Sequence, residues 1–129
     1  WGVIEASCGR QKLIDYGCIL TTPQQTLPQR LLCIQREMGE LLARFQPEEI
    51  AFEELFFAKN VTTALTVGAA RGVAIAACAA YTDRLYEYTP MQVKQAMVGY
   101  GKAEKRQHMY VFIGVADIHF RHGRPSRHH

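Results

Sequence analysis

Apolar and polar positions follow two different rhythms along this chain. Residues 2–6 (Gly-Val-Ile-Glu-Ala) and 12–20 are short apolar runs with β-branched members. A Gly-containing turn over residues 7–11 joins them, which predicts a β-hairpin. From Thr26 the period lengthens. Thr26-Leu27-Pro28-Gln29 has the form of a capping box with proline in the first turn. Leu27, Leu31, Ile34, Met38, Leu41 and Phe45 then recur at spacings of three and four, which predicts a helix over 27–45 with one apolar face. Pro47 keeps that helix from continuing. Residues 49–52 are an apolar run suited to a strand buried on both faces.

The second half is read in the same way. Asn60 is a good N-cap, and residues 61–81 form a long helix. Residues 85–88 (Leu-Tyr-Glu-Tyr) are a fourth strand, Thr89-Pro90 begins a short helix, and residues 98–103 are a glycine-punctuated loop. Residues 104–109 open a further helix, and residues 111–116 read equally as a last strand or a helix. Strands alternating with helices after an opening hairpin predict an α/β fold with a mixed sheet. The expected organisation is one domain over residues 1–113 and an irregular basic tail over 114–129. Because residues 2–6 already look like a strand, a preceding strand is expected to be missing.

Composition narrows the classes. A chain of 129 residues, 48% of them apolar, forms a single soluble domain with a real core. Its net charge of +3 permits a nucleic-acid partner without demanding one. Cys8, Cys18, Cys33 and Cys78 form no C-x-x-C pair and have no histidine at zinc-finger spacing. They read as small buried hydrophobes in a reducing cytoplasm. The most apolar stretch, Val61–Tyr81, carries Arg71 at its middle, which argues for a buried helix and against a membrane span. Gly68, Ala69, Gly72, Ala76 and Ala80 give that helix a lean face, able to pack on the sheet or on a second subunit.

The chemistry gathers at Phe52-Glu53-Glu54-Leu55-Phe56-Phe57-Ala58-Lys59-Asn60, where a strand ends on acid and an aromatic, basic loop follows. A carboxylate there suits a metal-dependent enzyme acting on a large anionic substrate. The plainer alternative is two solvated carboxylates and two core phenylalanines.

This stretch, with Gly2-Val3-Ile4, Tyr16-Gly17-Cys18-Ile19, Ala70-Arg71-Gly72-Val73, Tyr86-Glu87-Tyr88-Thr89-Pro90, Gln92-Val93-Lys94-Gln95 and Val98-Gly99-Tyr100-Gly101-Lys102-Ala103-Glu104-Lys105, resembles the RuvC-type Holliday-junction resolvases, in that family's order and over about residues 1–107. The resemblance implies an RNase H-like mixed sheet flanked by helices and working as a homodimer. It also implies a magnesium-dependent endodeoxyribonuclease that makes paired nicks in four-way junction DNA, alongside a branch-migration motor. On it, Glu53 matches the catalytic, metal-binding glutamate. Phe56 and Phe57 match aromatics that wedge into DNA, and Lys94 and Lys105 match DNA-binding lysines. Lys59 is a further DNA-binding candidate on the same surface, while Lys102 and Arg106 read as ordinary solvated charge. Strand alternation points Glu54 away from Glu53.

Two departures shape the expectations. The family's Gly-Ile-Asp-Pro-Gly strand and its C-terminal Asp-x-x-Asp helix have no counterpart here, which leaves Glu53 alone of four expected acids. Asp117, the only acid after Glu104, falls in the wrong context, and His119, His122, His128 and His129 read as an inert tail. The expectation is therefore a fragment of a resolvase, inactive or nearly so, with an unpaired position in its sheet that invites dimerisation or aggregation. The alternative is a non-catalytic module that binds junctions or DNA.

Overall fold

Thr26 sets where the first helix begins. Its side chain accepts a hydrogen bond from the Gln29 amide at 3.3 Å, and the Gln29 side chain accepts one from the Thr26 amide at 2.8 Å. The two amides are orphan donors of the first turn, satisfied reciprocally. In the computed structural model, which describes residues 1–7, 10–53, 60–88 and 108–114, this helix is α1 (Leu27–Phe45). It stops at Gln46, a left-handed cap with φ of 45°, whose amide donates to the Leu42 carbonyl at 2.9 Å. Pro47 follows directly and, lacking an N–H, keeps the helix from continuing. The other described elements are β1 (Gly2–Ser7), β2 (Arg10–Tyr16), β3 (Glu49–Glu53), α2 (Val61–Tyr81), β4 (Leu85–Tyr88) and β5 (His108–Ile113).

The strands form one mixed sheet in the order β2-β1-β5-β3-β4. β1 is antiparallel to both β2 and β5, while β3 is parallel to both β5 and β4. Among the described strands, β5 therefore links the β2-β1 half to the β3-β4 half. Val111 sits in register with Val3 on one side and Ile50 on the other, and all three are buried.

Two expectations are corrected here. Residues 108 and 109, assigned by pattern to a helix, belong to a strand. The expected unpaired position in the sheet is filled, because β1 and β3 both hydrogen-bond to β5. The physical reason lies in composition: His108-Met109-Tyr110-Val111-Phe112-Ile113 is rich in β-branched and aromatic residues, and Val111 and Ile113 bury at a period of two. A third correction shortens β2, which ends at Tyr16 instead of Leu20. The ladder closes on Trp1 and Gly17, which exchange hydrogen bonds at 2.8 and 3.0 Å. A Cβ on Gly17 would lie 2.8 Å from the Trp1 indole, so that position is closed to a side chain.

Ile50 and Phe52 join Val3, Val111 and Ile113 with Met38 and Leu42 of α1 and Ala74 and Cys78 of α2 in one core. Both described helices thus cover the same face of the sheet. Burying side chains of this size contributes about 1.5–3 kcal/mol each relative to exposure. Leu42, absent from the apolar stripe read from sequence, is core, while Leu27 is exposed. The lean face of α2 does not meet the sheet: Gly68, Gly72, Ala76 and Ala80 are exposed, in line with Val61 and Leu65. By length and composition α2 is apolar enough to cross a membrane. Its Arg71, however, donates to Glu87 of β4 at 2.9 Å, and its inner side is part of the core. The tail over residues 115–129 lies outside the described residues.

Candidate functional site

Because β5, β3 and β4 run parallel and side by side, their carboxyl ends share one edge of the sheet. Ligand sites on open α/β sheets form at such edges, where loops leave the strands. The register fixes the row. Phe52 lies between Ile113 and Glu87, and Glu53 pairs with Tyr88. Gly114 follows Ile113 directly, which places Glu53 between Gly114 and Tyr88.

Alternation fixes the face. Ile50 and Phe52 point to the helices, so Ala51 and Glu53 point away from them. Tyr86 and Tyr88, in register with Ala51 and Glu53, share that outer face. Glu87, in register with Phe52, points back to the helices and meets Arg71 there, as alternation requires. Glu53 is half-buried, and among the described residues no hydrogen bond or ion pair engages its carboxylate. Its Oε2 lies 3.3 Å from the point a Cβ on Gly114 would occupy. Glycine there leaves the carboxylate open on the β5 side, and Tyr88 walls it on the other.

The segments that carry the other sequence candidates follow this row in the chain. Residues 54–59 continue from Glu53 and residues 89–107 from Tyr88. Phe56, Phe57, Lys59, Lys94 and Lys105 all lie in those two segments, outside the described residues, as does Glu54. Sequence reasoning gave no role to Tyr86, Tyr88 or Gly114. The signal for the tyrosines was present in the alternation of Leu85-Tyr86-Glu87-Tyr88, which puts both rings on one face.

A magnesium ion takes several oxygen ligands, usually one or two carboxylates with waters and substrate phosphate. Among the described residues no three His, Cys, Asp or Glu side chains gather to hold a metal. Glu53 with Gly114 and Tyr88 does not by itself fit the ion.

On the helix side of the same edge lies a cavity of about 190 Å³, lined among others by Trp1, Met38, Thr66, Ala70, Ile113 and Gly114. Arg30 stands at its wall and donates to Thr21 Oγ1 at 2.9 Å. The cysteines divide by place. Cys78 is fully buried, and burial pushes its thiol up to about 12. Cys33 is half-buried, its thiol raised by burial and then by its hydrogen bond to Glu37. Cys18 is exposed, against the expectation of a buried hydrophobe, because it lies past the end of β2.

The sequence model described as "Crossover junction endodeoxyribonuclease RuvC" matches residues 1–119. The RuvC of Finegoldia magna is 51% identical over 107 residues, covering 83% of this chain and 65% of that protein. The RuvC of Alkaliphilus metalliredigens is 50% identical over the same length and coverage. The chain thus spans slightly less than two thirds of these relatives. Among solved structures, Thermus thermophilus RuvC in complex with a Holliday junction substrate aligns with a TM-score of 0.65 and 36% identity, over 81% of this chain and 64% of that one. Another T. thermophilus RuvC structure gives 0.62 and 37%. Both share the RNase H-like arrangement of mixed sheet and helices.

Proposed function

Since the chain belongs to the RuvC family of crossover junction endodeoxyribonucleases, we propose that it recognises four-way DNA junctions and serves, within its full-length protein, as a structure-specific endonuclease that makes paired nicks during recombinational repair. One observation carries the reading. Glu53, the residue that matches the family's metal-binding glutamate, stands unpaired among the described residues at the shared carboxyl edge of three parallel strands. A core-filling or ion-paired carboxylate would not be left open there. Phe56, Phe57, Lys59 and Lys94 belong to segments that start from this edge, which suits contact with DNA around Glu53, and Lys105 completes the proposed DNA-binding set. Exposed aromatics stack on bases without reading sequence, and lysines on phosphates position the duplex.

The family's metal dependence is taken to be for Mg2+, with Glu53 as one of its ligands. A homodimer is the proposed working unit. The exposed row of Val61, Leu65, Gly68, Gly72 and Ala76 on α2 offers a surface that a second backbone can approach closely. A branch-migration motor is the proposed partner and the cytoplasm the proposed site of action.

A second reading has its own support. Among the described residues no three His, Cys, Asp or Glu side chains gather to hold a metal, which favours a module that binds junctions without cutting them. Nicking of a labelled four-way junction, with and without Mg2+, separates the two. Magnesium-dependent paired nicks that vanish in Glu53→Gln support the endonuclease. Junction binding with no nicks supports the module. Loss of any preference for junctions refutes both.

A further inference from the structure

The outer face beside Glu53 carries two aromatic rings that the reading above leaves without a role. Tyr86 and Tyr88 project from the same side of β4, and β4 is the edge strand of the sheet. Their ring centroids are 6.1 Å apart and their planes are inclined by only 32°. Tyr86 is 41% exposed, high for a ring on a strand, and Tyr88 is half-buried where it borders Glu53. Neither ring belongs to the core cluster. The two rings therefore form a short aromatic surface, with one ring tilted against the other. It begins at Tyr88, which stands in register with Glu53 on the neighbouring strand, and runs back along β4 to Tyr86.

We propose that Tyr86 and Tyr88 form a stacking platform that seats an unpaired nucleobase of a junction strand. The inference rests on the junction reading and deepens it. Three features select this occupant. Aromatic rings offered to solvent side by side match the π-face of a base, and such stacking is indifferent to sequence. The platform starts in register with Glu53, at the carboxyl edge where the junction is proposed to lie. The bases of a continuous duplex are already stacked on one another and are not free to stack on these rings, whereas strands at a branch point expose bases. The rings act as positioning residues: they fix where the strand lies and exchange no proton or electron. Arg71 and Glu87 steady the platform from the other face, because their 2.9 Å ion pair ties β4 to α2.

The test uses the intact chain without divalent metal, so that only binding is read. The probes are a four-way junction carrying 2-aminopurine at the bases flanking the branch point, and a linear duplex of the same arm sequence. The double variant Tyr86→Leu/Tyr88→Leu is expected to bind the junction more weakly by roughly 5- to 100-fold, the range for losing base–aromatic stacking. Its affinity for the linear duplex should not change. Tyr86→Phe/Tyr88→Phe keeps the rings and should keep the affinity. The emission of the 2-aminopurine should be quenched on binding the wild-type chain. Wild-type junction binding with no quenching overturns the proposal even if the leucine variant does not fold. Equal junction affinity in a folded leucine variant overturns it too. A wild-type chain that shows no preference for the junction instead refutes the reading on which the proposal rests.

Discussion

Replacing Val111 by alanine tests whether β5 belongs at the centre of the sheet. Val111 is 2% exposed and stands in register between Val3 and Ile50. The substitution removes two methyl groups, worth about 0.8 kcal/mol each in transfer from water. The space they leave adds about 1 kcal/mol if the neighbouring strands relax little. The expected loss is therefore roughly 2–3 kcal/mol out of a total of about 5–15 kcal/mol for a domain of this kind. Equilibrium unfolding in urea reads it directly, as a lowering of the midpoint by about 1 M or more at unchanged slope. The single tryptophan, Trp1, is a convenient probe because its ring packs 5.9 Å from Phe45 and it closes the β1–β2 ladder. Leu13→Ala on β2, where the side chain is 57% exposed, serves as the control and should cost under about 1 kcal/mol. A Val111→Ala cost below about 0.5 kcal/mol, no greater than the control, would refute a buried central position for β5.

Three further predictions concern local features. Gln46→Gly should raise stability by about 0.5–1 kcal/mol in the same unfolding assay, because a left-handed cap at φ 45° strains any side chain with a Cβ. Thr26→Ala should cost about 1 kcal/mol by removing the side-chain acceptor for the Gln29 amide. Above pH 9.0 the Cys78 thiol ionises in the unfolded chain but stays protonated in the fold up to about 12, so the unfolded state holds fewer protons and stability falls as pH rises through that window. The slope from this group is at most about 1.4 kcal/mol per pH unit, and comparing unfolding of wild type and Cys78→Ala at pH 8 and 10 should show the variant to be flatter.

Local signals carried most of the fold. The capping box, Asn60 and the alternation over residues 85–88 act within a few residues, and α1, α2 and β4 run as their pattern indicates. β5 was harder, because a strand six residues long follows a charged, helix-like run, and its identity is settled by partners about 60 and 100 residues away. β2 was overextended for a related reason: residues 18–20 have strand propensity, but pairing ends at Gly17. At the site, Glu53 was legible as a strand-ending acid. Its neighbours were not, since Gly114 and Tyr88 reach it only through parallel register.

The most direct test is the pair of dissociation constants for a four-way junction and a linear duplex of the same arm sequence, without divalent metal, at about 0.05 and 0.2 M salt. The junction is expected to bind at least about tenfold tighter at both salts, with both affinities weakening as phosphate contacts are screened. Equal affinity for the two DNAs at either salt would contradict a junction-recognising role for this chain.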